Sequence, residues 1–300
     1  MLSMRRGFRF WRQARLWQSD SRNAQVFREW MRRRRKADRS DKLAVKSSRA
    51  VFEVLQVISR ADTPLGAAEI AKVLSLPLTT AVRALNTLEA AGYALRRGGA
   101  ARFVLGQSGQ RLAYAFMSHF PVRDLALPYL QQLTLISGSS SSLFVRLGWY
   151  SLRIALIAGT SSVVNVGAIG EARALTVGAP SLAMLAQLPD NEFMRAVEHG
   201  GGDEARLRKL CTQVRKQGYA LDVSAIESGG YELAFPLSDM NRSILASVAL
   251  EGFANNLATS RDQIEQAGKL LRPLQDALAH GSGISTAHYE HIDPDAIELG

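Results

Sequence analysis

The pattern of apolar and polar positions predicts three amphipathic helices at the start of a folded block. Apolar residues recur at helical spacing in the segments 48–60, 65–74 and 79–91, and such a period is typical of helices that bury one face. In the third helix the positions expected to face inward are Ala81, Val82, Leu85 and Leu88. These segments predict a small helical domain.

A tight turn separates the second and third helices. Residues 75–78 have the sequence Ser-Leu-Pro-Leu, and Thr79 follows them where a hydroxyl can cap the next helix. The short apolar strands 93–95 and 102–105 flank Gly98 and Gly99 and predict a β-hairpin. Helix, helix, turn, helix and hairpin form a winged helix-turn-helix, which places one helix in the major groove of DNA.

Polar side chains suited to double-stranded DNA follow this layout. The fork of Arg83 can donate to guanine or phosphate, and the wing arginines lie where phosphate contacts are needed. Seven candidate DNA contacts result: Thr79, Thr80, Arg83, Asn86, Arg96, Arg97 and Arg102.

The second half of the chain mixes helices with alternating strands. Helices are predicted at 108–119, 123–137, 175–188, 190–197, 203–217 and 260–279, and strands at 143–147, 152–157, 231–237 and 244–250. An antiparallel sheet with helices packed on it makes this an α+β domain. The first of these helices, in a linker at 107–122, is expected to join the two domains and support dimer contacts.

Charge is distributed unevenly along the 300 residues. The net charge of the chain is +10, but residues 1–45 contain fourteen basic and four acidic residues, whereas residues 107–300 contain fifteen and nineteen. A basic front and a near-neutral body favour nucleic acid at one end and a smaller partner at the other. Residues 1–45 are either a disordered arm beside the DNA site or an extension without function.

Several classes of protein are disfavoured. The sequence has no apolar run long enough to span a membrane and no signal peptide, so a cytoplasmic protein is expected. The single cysteine, Cys211, lies in a predicted helix and is expected to be a buried structural thiol. No catalytic or cofactor motif occurs, so neither an enzyme nor a cofactor is predicted. His288 and His291 lie in a tail, 282–300, where a metal site is not expected.

Residues 46–106 resemble the N-terminal domain of the IclR family of bacterial transcription factors. The resemblance lies in Lys46-Ser47-Ser48-Arg49-Ala50 and in the segment 76–93, Leu-Pro-Leu-Thr-Thr-Ala-Val-Arg-Ala-Leu-Asn-Thr-Leu-Glu-Ala-Ala-Gly-Tyr. It adds Lys46 and Arg49 to the candidate DNA contacts. The family usually has a basic residue where Leu78 stands and a polar one where Val82 stands.

Residues 123–281 resemble the family's effector-sensing domain, which is similar to the GAF fold and binds small organic molecules on its sheet. The match is best in Gly218-Tyr219-Ala220-Leu221-Asp222 and in Ala234-Phe235-Pro236-Leu237. The family's pocket positions fall on Asp222, Glu232, Ala249 and Glu251. Strand alternation places Glu232 on the ligand face, so two readings stay open: an acidic pocket for a cationic or hydrogen-bond-donating effector, or glutamates that face water.

The resemblance implies a regulator that binds operator DNA as a homodimer or a dimer of dimers and responds to a small-molecule effector of unidentified structure. The alternatives are a winged-helix module for protein interaction, or an enzyme of an unrecognised type with no regulatory ligand. Specific binding to DNA distinguishes the first function from both alternatives.

Overall fold

The computed structural model describes residues 46–61, 63–97, 101–160, 167–222, 230–239, 243–253 and 261–280. The chain divides into two compact units between Phe116 and Met117, and each unit has its own apolar core. Within the described residues, no helix is both long and apolar enough to cross a membrane.

The first unit contains the predicted helices and hairpin. Its elements are α1 (Lys46–Ser59), β1 (Leu65–Gly66), α2 (Ala67–Leu74), α3 (Leu78–Ala90), β2 (Ala94–Arg97) and β3 (Arg102–Leu105). The three strands form an antiparallel sheet in the order β1-β3-β2. Phe103 of β3 packs into the helical core with Val54 and Leu85, so the wing is anchored to the helices by burial of its aromatic ring.

The second helix begins two residues later than the sequence pattern predicts. Leu65 and Gly66 pair with Phe103 and Arg102 of β3 and therefore form a short strand. The Glu69 carboxylate accepts a hydrogen bond of 2.7 Å from the Gly66 amide, which caps the helix that follows. Strand pairing with a distant segment outweighs local helical spacing here.

The third helix also differs from the prediction at its start. It begins at Leu78 and not after a Thr79 cap, because the Pro77 carbonyl accepts hydrogen bonds from the amides of Thr80 (3.0 Å) and Ala81 (3.2 Å). Thr79 lies within the first turn. Val82, which was predicted to face inward, is instead 38% exposed, and Ala84 is buried in its place.

Helix α4 (Gln107–Met117) contains the point of division, and a larger α+β unit follows it. The remaining elements are α5 (Val122–Ser137), β4 (Ser140–Leu147), β5 (Tyr150–Ile157), β6 (Ala172–Ala174), α6 (Ala179–Leu185), α7 (Asp190–Gly200), α8 (Glu204–Gln217), β7 (Ala220–Asp222), β8 (Gly230–Ser238), β9 (Ile244–Phe253) and α9 (Arg261–Ala279). The predicted strands are present, whereas the three-residue edge strands β6 and β7 were not predicted. Cys211 of α8 is buried, as expected.

In the described part of this unit, six antiparallel strands form one sheet in the order β6-β5-β4-β9-β8-β7. Helices α5 and α9 cover one face, and α6, α7 and α8 cover the other. Along β8, Tyr231 and Leu233 pack toward α5 and α9, while Ala234 packs toward α6 to α8. Glu232 therefore lies on the same face as Ala234, as strand alternation predicts; that face is called the sensor face below.

The helix predicted at 175–188 is shorter than expected. It begins at Ala179, because residues 172–174 pair with β5 and Gly178 adopts a left-handed φ of 81° immediately before the helix. A glycine tolerates this φ, whereas a side chain is strained there. The chain therefore turns sharply beside the sensor face before the helix starts.

Candidate nucleic-acid interface and a buried ion-pair cluster

The exposed face of α3 carries the predicted DNA contacts of that helix. Thr79, Arg83 and Asn86 are exposed, and Thr80 is half-buried. The opposite face is buried in the core through Ala81, Ala84, Leu85 and Leu88. Burial of one face therefore fixes which residues α3 presents to a partner.

Arg83 is the cation at the centre of this face. No described carboxylate forms an ion pair with its guanidinium, although other arginines of this unit have such partners. The Thr87 hydroxyl donates 3.0 Å to the Arg83 carbonyl and leaves the guanidinium unaffected. All of its donors are thus available to an external acceptor such as a base edge or a phosphate.

Two of the three wing arginines are held by carboxylates of the same unit. Arg96 pairs with Glu89 at 3.0 Å and lies over the Phe103 ring at 5.0 Å; its hydrogen bond to Glu89 raises the pKa of the guanidinium. Arg102 pairs with Glu69 at 3.2 Å and donates 2.7 Å to the Pro64 carbonyl. These contacts hold the arginines in place on the hairpin.

Arg97 differs from its neighbours because no described carboxylate pairs with it. It lies directly opposite Arg102 across the β2–β3 ladder, and like charges in that position repel. A phosphate beside the hairpin would relieve this repulsion.

In α1, Arg49 pairs with Glu53 at 3.1 Å, and the side chain of Lys46 lies outside the described part of the structure.

The sensor face contains a fully buried arginine. The guanidinium of Arg153, on β5, donates to both carboxylate oxygens of Glu251 at 2.6 and 2.7 Å, and its side chain is 0% exposed. The Ser142 hydroxyl donates 2.6 Å to Glu251, and the Phe144 ring lies 4.6 Å from the guanidinium. The Nε atom of Arg153 is buried without a partner within the described residues. A bidentate pair of this kind is rigid.

A second ion pair continues the cluster toward the sheet edge. Arg173 of β6 donates to Glu232, and Glu232 also accepts 3.1 Å from the Ala179 amide. Burial lowers the pKa of Arg173, but the carboxylates of Glu232, Glu171 and Glu251 outweigh burial and raise it above its ordinary value. A Cβ on Gly178 would lie 2.7 Å from the Glu232 carboxylate, so the glycine permits the close approach.

The structure brings the predicted effector residues together on the sensor face. Asp222, Glu232 and Glu251 are successive register partners across β7, β8 and β9, and Ala249 lies opposite Ala234. The reading in which both glutamates face water is wrong: Glu251 is 6% exposed and the Glu232 side chain 17%. Arginines from β5 and β6 neutralise them, so the predicted pocket is not purely acidic.

Sequence reasoning missed Arg153 and Arg173. A signal for Arg153 was present, because a charged residue between Leu152 and Ile154 interrupts an apolar strand, and a buried charge requires a partner. Its partner Glu251 is 98 residues away in sequence. The sequence alone does not identify which carboxylate that partner is.

Comparisons with known proteins extend over both units. Residues 51–98 match the IclR helix-turn-helix domain, and residues 114–277 match the family described as bacterial transcriptional regulator IclR C-terminal. The chain is 24% identical over 266 residues to the HTH-type transcriptional repressor AllR of Escherichia coli K12 and to that of Salmonella typhimurium, covering 85% of this chain and 97% of each relative.

Two solved structures share the fold. The IclR protein of Thermotoga maritima superposes with a TM-score of 0.66 at 22% identity, covering 79% of this chain and 98% of that one. An IclR homologue from Microbacterium hydrocarbonoxydans, solved in complex with 4-hydroxybenzoate, gives a TM-score of 0.64 at 18% identity over 80% and 100% of the two chains.

Proposed function

The chain belongs to the IclR family of bacterial transcriptional regulators, and we propose that it binds operator DNA through the exposed face of α3 and the wing. Membership of the family makes it a DNA-binding transcriptional regulator and not an enzyme. We expect it to act in the cytoplasm, where DNA is accessible.

The observation that carries this proposal is the position of Arg83. It is an exposed arginine without a described carboxylate partner on the helix that the fold presents. Thr79, Thr80 and Asn86 lie on or beside the same face and supply shorter hydrogen-bonding groups. The N-terminal residues of a recognition helix contact base edges in the major groove, and we assign these four residues that role.

The wing and the start of α1 contact the phosphates of the DNA backbone. Arg97 contacts phosphate directly, while Arg96 and Arg102 add positive potential from fixed positions beside it. Lys46 and Arg49 belong to the same class of contact. Such contacts set affinity and its dependence on salt, whereas base contacts set specificity.

The test uses the full chain and DNA selected from a random duplex library. Fluorescence anisotropy then compares the wild type with Arg83→Ala on selected and on scrambled DNA. We expect a loss of about 1–3 kcal/mol on the selected site if Arg83 recognises a base, and little change on scrambled DNA. Arg272→Ala is the matched control, because Arg272 is an exposed arginine of α9 that pairs with no described carboxylate. Equal losses on both DNAs would reduce Arg83 to a phosphate contact.

We propose a homodimer, or a dimer of dimers, on a palindromic operator. Support comes from α4, which has no buried residue and exposes Leu112 (61%), Tyr114 (80%) and Phe116 (42%). A second copy would cover these side chains and fix the spacing of two recognition helices. Light scattering of the wild type and of Tyr114→Glu tests this dimer contact. We expect the variant to dissociate at a higher protein concentration than the wild type, and identical masses at every concentration would contradict a role for α4 in the dimer.

We also propose that a small effector binds at Asp222, Glu232, Ala249 and Glu251 and changes operator affinity. Glu171, Glu232 and Glu251 outnumber the two arginines of the cluster, which favours a cationic or hydrogen-bond-donating ligand. A ligand would enter at Arg173, whose side chain is 20% exposed, because Arg153 is inaccessible.

Two aromatic probes of one shape and opposite charge test the ligand class. We expect 4-hydroxybenzamidine to raise the melting temperature of the full chain and 4-hydroxybenzoate to have no effect. The homologue crystallised with 4-hydroxybenzoate makes the second probe the natural reference. Stabilisation by the carboxylate alone would contradict the charge argument, and Glu232→Gln should abolish the response to the cation.

A further inference from the structure

Two large apolar side chains are exposed on the DNA-facing helix. Leu78, the first residue of α3, is 52% exposed, and Val82 is 38% exposed. They are four residues apart, so they are neighbours on one side of the helix. The core does not require either of them, because Ala81, Ala84, Leu85 and Leu88 fill the inward face.

These side chains lie among the polar groups assigned to base recognition. Val82 precedes Arg83, and Leu78 precedes Thr79, within the first six positions of the helix. Val82 and Asn86 are again four residues apart. The exposed face is therefore a mixed surface in which one apolar patch lies beside one guanidinium fork.

The major groove offers one apolar feature, the C5-methyl group of thymine, and apolar side chains contact it. The arginine fork takes the O6 and N7 acceptors of guanine. Because this inference rests on the proposed function of α3, it concerns which bases that helix prefers. We propose that Leu78 and Val82 contact thymine methyl groups and make thymine, next to a guanine bound by Arg83, the preferred base in each half-site.

Removing single methyl groups from the DNA tests the proposal. The full-length protein first selects its site from a random duplex library, and each thymine is then replaced in turn by deoxyuridine, which lacks only the methyl. We expect affinity to fall about fourfold at one or two positions, the effect of one buried methyl group. At those positions Leu78→Ala or Val82→Ala should bind thymine and uracil DNA equally.

Phe52→Ala is the matched control, because Phe52 is also a large exposed apolar residue (63%) but lies on α1. Its preference for thymine over uracil should equal that of the wild type. The wild-type measurement stands by itself if an alanine variant fails to fold.

The possible outcomes separate the inference from the function on which it rests. If the protein binds a specific site and its affinity does not change with uracil at any position, the methyl contacts are overturned and the DNA-binding function stays intact. The same result, with weaker self-association of Leu78→Ala in light scattering, would assign the apolar pair to a protein contact. Selection of no sequence at all would overturn both proposals.

Discussion

Arg83 and Arg153 are the same residue type in opposite situations. Arg83 is exposed on α3 and pairs with no described carboxylate, whereas Arg153 is completely buried and pairs with both oxygens of Glu251. Arg83 thus keeps its charge available to a partner from outside, whereas the fold itself supplies the counterion of Arg153. The difference teaches that the carboxylates a fold supplies decide which arginines keep all their donors for an external acceptor.

The wing is an intermediate case. Arg96 and Arg102 are half-exposed but paired with Glu89 and Glu69, and only Arg97 of the three has no described carboxylate partner. The exposure of each arginine and the presence or absence of a carboxylate partner therefore distinguish these arginines, whereas the composition of the chain does not. Four perturbations test this contrast, from the largest expected effect to the smallest.

Removing the acid from the buried pair should have the largest effect. Glu251→Gln leaves Arg153 charged and buried without its counterion, which typically costs about 3–5 kcal/mol of folding free energy. Urea unfolding of the full chain measures the change. Lys269→Gln breaks an exposed pair with Glu265 on α9 and should leave the midpoint nearly unchanged. Equal midpoints for Glu251→Gln and wild type would mean that the pair contributes no stability.

A methyl group at Gly178 should disturb the cluster next most strongly. Gly178→Ala combines a left-handed φ of 81° with a Cβ placed 2.7 Å from Glu232, and we expect a loss of about 1–3 kcal/mol. Gly201→Ala is the matched control, because Gly201 has a φ of 71° with no atom within 4 Å of the added Cβ. Urea unfolding of both variants separates backbone strain from the steric clash. Equal losses would show that the contact with Glu232 has no role.

The wing should respond mainly through salt dependence. Arg97→Ala should lower the slope of log affinity against log salt by about 1, the contribution of one phosphate contact. Anisotropy at a series of sodium chloride concentrations measures the slope. Glu89→Gln removes the acid that pairs with Arg96 and should raise it slightly. A slope unaffected by Arg97→Ala would place the phosphate contacts elsewhere.

Cys211 should show the smallest effect, an absence of reaction in the folded state. Burial raises the pKa of its thiol to about 11, against a lowering by Arg215 and Arg208. The unfolded thiol, with a pKa near 9.0, loses its proton at a lower pH than the folded thiol does. The stability that this group contributes is therefore lost as the pH rises from 9 to 11. A disulfide reagent at pH 8 should label the single thiol only after urea is added. Rapid labelling of native protein would contradict its burial.

The sequence predicted most of the elements because their periodicity is local. It failed where a distant segment decides the structure, as when β3 pairs with Leu65 and turns the expected first turn of α2 into a strand. Thr79 was assigned as a cap because its hydroxyl suits one, but the Pro77 carbonyl accepts the first hydrogen bonds, so the helix starts two residues earlier, at Leu78.

On the sensor face, too, the local pattern was predictable and the contacts between distant segments were not. Alternation placed Glu232 correctly, because side chains of a strand alternate whatever their partners are. The ion pairs were not predictable, since Arg173 and Glu232 are 59 residues apart in sequence and only the strand order β6-β5-β4-β9-β8-β7 brings their elements into one sheet.

Photochemical cross-linking tests most directly whether α3 lies in the major groove. The selected operator is synthesised with 5-iodouracil, whose iodine replaces the thymine methyl, and is irradiated in complex with the full-length protein. Trypsin cleaves after Lys72 and Arg83, so we expect the labelled peptide to span residues 73–83, the start of α3. Cross-links confined to residues 1–45 or to the second unit would contradict the central claim.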